Sequence, residues 1–152
     1  MNIRLTALFT ALVLSGCASV QGVSAPKPAA SIPQVAQLAP QTLAPGSCAM
    51  FVWERTAPNR FILFTKAAAQ SGQWYDGAQS RTVTMTSMGE SNSQKQSAVQ
   101  GLVSADKALN LSLNDAEEIT DGTRYKEGVL RVSGGPDFDR VIPVVGLSSC
   151  GR

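Results

Sequence analysis

From residue 48 onward the chain alternates apolar and polar residues in short runs broken by Gly, Pro and Asn. Arg81–Thr86 sets Val83 and Met85 on one side and Thr82, Thr84 and Thr86 on the other. Ala108–Asn114 repeats the pattern, with Leu109, Leu111 and Leu113 against Asn110 and Ser112. A period of two with one apolar face predicts a half-buried strand. Ala49–Glu54 and Arg60–Thr65 are denser apolar runs around Pro58-Asn59, and they predict an antiparallel hairpin. Val99–Val103 is a further, weaker strand. Gly128–Ser133 and Phe138–Val145 flank Gly134-Gly135-Pro136-Asp137 and predict a terminal hairpin. Pro143 donates no backbone hydrogen bond, so it belongs at an edge or a bulge. About seven short strands predict an all-β domain, a small antiparallel sandwich or barrel. Two helical turns are also expected. Asn114-Asp115-Ala116-Glu117 has the spacing of a capping box, and Lys66–Gln70 is rich in Ala.

The first 46 residues follow another pattern. One basic residue, Arg4, precedes the apolar run Leu5–Leu14, and Leu14-Ser15-Gly16-Cys17 follows. A helix of that run would span roughly 15 Å, about half a bilayer. The segment resembles the type II signal peptide and lipobox of bacterial lipoproteins. That resemblance implies cleavage between Gly16 and Cys17, a lipidated Cys17 carrying palmitate-class chains, and anchorage by several acyl chains. Ala18 after the cysteine implies outer-membrane sorting with the body in the periplasm. The expected organisation is a signal peptide over 1–16, a linker over 17–46 and a β-rich domain over 47–152. The linker contains Pro26, Pro28, Pro33, Pro40 and Pro45, one charge (Lys27) and no aromatic residue. Such composition buries too little apolar surface to offset its ordering entropy, although Ile32–Leu38 is suited to packing on the domain as an extra strand.

With Cys17 assigned to lipid, Cys48 and Cys150 remain, and an oxidising compartment favours their pairing. The disulfide would close a loop of about a hundred residues, worth ~4–5 kcal/mol in the chain-entropy model. It would also join the first and last strands.

Charge and chemistry narrow the function. Without Arg4, 12 of the 13 basic side chains remain to face 11 acidic ones. So balanced a body lacks the basic surface that nucleic-acid binding needs. The chain has no His, which removes the commonest general base and transition-metal ligand. The acids Asp115, Glu117, Glu118 and Asp121 do not follow the spacing of a calcium loop. They read as a solvated turn, and Asp137 and Asp139 as solubilising groups on their hairpin. No catalytic residue, metal site or cofactor is expected. Gln73-Trp74-Tyr75-Asp76-Gly77 is the loop of most interest, with Trp74 and Tyr75 as a candidate binding surface. The alternative is one ring turned into the core and one out, the natural outcome for neighbours on a strand. Together these features point to a non-catalytic, membrane-tethered module with an envelope protein partner. The alternative is an inhibitor of a cell-wall hydrolase. Ser71-Gly72-Gln73-Trp74-Tyr75 resembles, over five residues, the S-G-x-x-Y loop of lipid-anchored lysozyme inhibitors, which are small disulfide-linked β-barrels.

Overall fold

The computed structural model describes residues 36–56, 60–66, 68–89, 97–134 and 139–152. The expected leader, Cys17, the Pro58-Asn59 turn, residues 90–96 and Gly135–Phe138 lie outside these residues. Eight strands follow one another: β1 (Cys48–Glu54), β2 (Arg60–Lys66), β3 (Ser71–Tyr75), β4 (Ser80–Met88), β5 (Val99–Ser104), β6 (Lys107–Ile119), β7 (Gly122–Ser133) and β8 (Arg140–Cys150). Each pairs antiparallel with the next, and β8 returns to β1, so the sheet closes into a barrel in sequence order. Of the two architectures the pattern allows, it is the barrel that forms. The strand beyond the expected seven is β3.

Eight strands leave an interior just wide enough to be filled by side chains. Here every strand contributes one or more: Met50 and Val52, Leu63, Trp74, Val83, Leu102, Leu109 and Leu111, Leu130, and Val144. Two glycines make the packing possible at one level. A Cβ on Gly128 or on Gly146 would come within 2.5 or 2.6 Å of the Leu113 side chain. The interior also holds a satisfied polar pair. Thr65 Oγ1 donates to Gln100 Oε1 at 2.9 Å, and Gln100 Nε2 donates to the Ser97 carbonyl at 3.0 Å.

Both expected helical turns give way to sheet. Asn114–Glu118 continues β6, because Ala116, Glu117 and Glu118 pair with Tyr125, Arg124 and Thr123. The capping-box spacing is present in the sequence, but a helix would give up that whole ladder. The chain bends there, with Asp115 at φ 52°. Likewise β2 runs through Lys66, and Ala68–Gln70 form a turn into β3 with Gln70 at φ 47°. Pro143 pairs with Val129, immediately beyond an irregularity in the β7–β8 ladder.

Cys48 and Cys150 face each other across the β1–β8 pair and form a disulfide. The bond therefore staples the seam at which the barrel closes.

Packed chain begins upstream of residue 47. Leu38 is only 2 % exposed and lies on the outside of the barrel against Ala49, Phe61 and Phe64. Its N–H donates to the Phe61 carbonyl at 2.9 Å, and Gln37 Oε1 accepts the Phe61 N–H at 3.0 Å. Residues 36–46 make no strand, but they form a strap over β2 and rejoin the barrel where Pro45 bridges Gly151.

Candidate functional site

The pleat of β3 decides the fate of the two aromatic neighbours. Successive strand side chains point to opposite faces. Trp74 turns inward and is 2 % exposed. Tyr75 turns outward and packs against the external cluster of Leu38, Ala49, Phe61 and Phe64. Trp74 and Tyr75 thus belong to two separate surfaces on either side of the barrel wall.

The inner surface is a cavity of about 270 Å³ at one end of the barrel. Three parts of the chain meet around it: the β3–β4 turn with Asp76, Gly77 and Ala78, the start of β6 with Lys107, and the end of β7 and start of β8 with Gly134 and Arg140. Trp74 and Val132 supply apolar wall. The rim is held by directed bonds. Asp76 Oδ1 accepts the backbone N–H groups of Ala78 at 2.7 Å and Gln79 at 2.8 Å, and Arg81 Nε donates to Asp76 Oδ2. Lys107 Nζ donates to the Gly134 carbonyl at 3.1 Å, and Arg140 Nη1 to the Asp76 carbonyl at 3.4 Å. Partial burial of Asp76 by itself raises its carboxyl pKa. The Gln79 N–H, the Arg81 side chain and the Ala78 N–H outweigh that and bring it to about 2. Among the described residues the Trp74 indole Nε1–H is buried without a hydrogen-bond partner.

The outer surface is aromatic. Phe51, Trp53, Phe61 and Phe64 lie on the outside of β1 and β2, with ring centroids 5.1–6.2 Å apart along the cluster. A register shift between Val52 and Trp53 helps to build it: Val52 pairs with Leu63 and Trp53 with Phe61, so Ile62 has no opposite residue. Ile62 and Leu63 then both reach the interior, while Phe61 and Phe64 both stay outside. The strap covers the β2 side of this cluster. On the other side Trp53 opens onto a groove of about 410 Å³ that Ile119, Val145 and Leu147 line with it, and Arg124 and Lys126 border it.

The acids of the expected solvated turn are tied into the sheet. Glu117 Oε2 lies 3.5 Å from Lys126 Nζ and 3.9 Å from Arg124 Nη1. Glu118 accepts the Thr123 hydroxyl at 3.1 Å, and Asp121 pairs with Arg152. Among the described residues no group of three or more His, Cys, Asp or Glu is placed to hold a metal ion. Asp139 is exposed, and Asp137 falls outside the described residues.

The glycine of the S-G-x-x-Y stretch has a local structural reason. A Cβ at Gly72 would stand 2.0 Å from the Phe64 carbonyl oxygen. Sequence reasoning missed Lys107 and Arg140. Each is one cation among several, and only barrel closure brings both beside Trp74. A stronger signal was available for the outer face, because the unbroken run Phe61–Phe64 marks a strand covered on both sides. No family model, no curated protein and no solved structure matches this chain.

Proposed function

We propose that the protein is a non-catalytic accessory module, anchored to the outer membrane through lipid on Cys17 and presenting its barrel to an envelope protein partner. The observation that carries this reading is the aromatic outer face of β1 and β2. The outward positions of a closed barrel ordinarily face water. Here those positions hold four aromatic rings, and the chain's own strap covers only one side of them. The uncovered side, Trp53 with Val145 and Leu147, is an apolar groove with a charged border, the arrangement that marks protein contact surfaces. The lipid follows from the leader and its Leu14-Ser15-Gly16-Cys17 motif.

The hydrolase-inhibitor reading draws less support from the fold. Its five residues form strand β3, with Trp74 turned inward and Gly72 against β2, rather than a projecting loop. A lysozyme assay with the full chain is expected to show no inhibition.

The anchored-module reading is tested in cells. A photo-reactive residue at position 145 is expected to give one discrete adduct in the envelope, lost when Leu147→Glu is added. The same probe at Val103, exposed on β5, should give none. Radioactive palmitate should label the wild-type chain and not Cys17→Ser. Equal adducts from positions 145 and 103, or labelling that survives Cys17→Ser, would overturn it.

A further inference from the structure

We infer that the outward face of β8 seats an amphipathic helix of the partner protein, apolar where it lies along β8 and acidic on the flank that meets β7. This rests on the outer-face reading above and adds the chemistry of the partner segment to it.

Outward positions on a strand recur every second residue. In β4 and β6 they are polar and exposed, with Thr82 and Thr84 in one and Asn110 and Ser112 in the other. In β8 they are Val141, Pro143, Val145 and Leu147, while Ile142 and Val144 fill the interior. From Val141 to Leu147 this strand is therefore apolar on both faces. Val141 is 54 % exposed, Pro143 is exposed, and Val145 and Leu147 are half-buried. Trp53 pairs with Val145 and Phe51 with Leu147, so the stripe broadens onto β1 at its Leu147 end. Apolar surface gathered into one stripe, rather than scattered, marks a contact site.

Charge sets the complementary flank. The outward residues of β7 include Arg124, Lys126 and Arg131, all exposed. Arg124 stands opposite Leu147 and Arg131 opposite Val141, so cations border both ends of the stripe. Glu117 serves both Arg124 and Lys126, which keep 60 % and 51 % of their side-chain surface exposed. Glu127 is turned to Arg55 instead. The border thus carries more positive than negative charge, and acidic side chains complement it.

Shape selects a helix. Six residues of strand from Val141 to Leu147 span about 20 Å, the length of roughly thirteen helical residues. β8 pairs with β1 on one side and β7 on the other, so it offers little backbone to an added strand. An extended segment on this stripe would lay its own backbone groups unpaired against apolar side chains, whereas a helix satisfies them internally. A helix is about 10 Å across and neighbouring strands lie ~4.8 Å apart, so one seated over β8 carries its flank over the β7 cations.

The test places the photo-reactive residue in the full chain at positions 141, 143 and 145 in turn, and sequences the captured segment by mass spectrometry. All three are expected to capture one segment of one protein, with apolar residues at helical spacing and Asp or Glu along one flank. Arg124→Glu combined with Arg131→Glu should lower the yield at 145 about tenfold, and Glu117→Gln should raise it about threefold, as charge pairs across an interface do. The opposite signs separate charge from a general loss of folding, and Arg131→Glu by itself, at an exposed position, should still lower the yield. A discrete protein adduct at 145 that is missing at 141 and 143, that maps to a segment without this pattern, or that ignores the β7 charges would overturn the helix and leave the outer-face reading standing. Capture of lipid or of a second copy of this chain, or no adduct at any position, would overturn both.

Discussion

Asp76 shows how much one side chain organises at the cavity rim. Its carboxylate closes an Asx turn on Ala78 and Gln79 and holds Arg81, and the Arg140 guanidinium rests on its carbonyl. Its carboxyl pKa is lowered from 3.8 to about 2 in the fold, so the folded state favours the charged form. A depressed acid stabilises above its unfolded pKa, and that contribution fades as pH falls through the folded value. Asp76→Asn is therefore expected to lower stability near pH 7 by about 1 kcal/mol, the size of a partly solvated charge-assisted bond. Near pH 2 the difference from wild type should shrink toward zero. Urea midpoints at the two pH values check this, and a deficit independent of pH would show that shape rather than charge is what matters. Gly72 makes a complementary point at the same scale. Its place in a recognisable five-residue stretch suggests a loop for recognition, whereas its contact with the Phe64 carbonyl makes it a packing residue of two adjacent strands.

At the level of elements, the legible strands were those with a clean polar face. Val83 and Met85 in β4, and Leu109, Leu111 and Leu113 in β6, alternate with exposed residues and were readable as such. β3 escaped because five residues with a glycine and only one buried side chain show no period. The far half of β6 escaped for the opposite reason. Asn114-Asp115-Ala116-Glu117-Glu118 has a strong local signature, and tertiary pairing with β7 overrides it. Among the described residues, 114–119 pair with β7 alone, which leaves a sheet edge there. Charged side chains and the left-handed kink at Asp115 are the usual guards of such an edge. Of the candidate site, Trp74 was visible as an unusual residue, but its role depends on turns far apart in sequence.

The strap is the element whose role composition least suggests. Residues 36–46 are poor in charge and contain Pro40 and Pro45, yet Leu38 is as deeply buried as the barrel interior. Leu38 docks it together with two hydrogen bonds to Phe61, the packing of Leu43 and the bridge from Pro45 to Gly151. Leu38→Ala is expected to cost about 2 kcal/mol, at the low end for a buried leucine because the site lies at the surface and can relax. The same change should uncover Phe61 and Phe64. A hydrophobic dye that binds weakly to the wild-type protein should then bind more strongly, and amide exchange at Phe61 should accelerate. Unchanged stability together with unchanged exchange would mean that the strap contributes nothing to the fold.

For the whole molecule, the decisive contact is the one between the chain's ends. Seven of the eight strand pairs join neighbours in sequence and form at small entropic cost, whereas β1–β8 must close most of the domain. The Cys48–Cys150 bond lies on that pair, 102 residues apart in sequence. Its main action is on the unfolded chain, whose ends it holds together at a value of ~4–5 kcal/mol in the entropic account. The double variant Cys48→Ser/Cys150→Ser should accordingly lose about 3–5 kcal/mol in urea unfolding while keeping its native far-ultraviolet spectrum. Two mechanisms predict this loss, and the tryptophans separate them. Trp53 sits on β1 beside the seam, and Trp74 sits in the interior away from it. If the bond acts through the unfolded state, single-tryptophan variants lacking the disulfide unfold with coincident midpoints, as a two-state domain should. If it chiefly clamps the seam, Trp53 reports opening at lower urea than Trp74. The complete β1–β8 ladder, seven residue pairs from Cys48–Cys150 to Glu54–Val144, favours coincidence, because the seam is already held along its length by backbone hydrogen bonds.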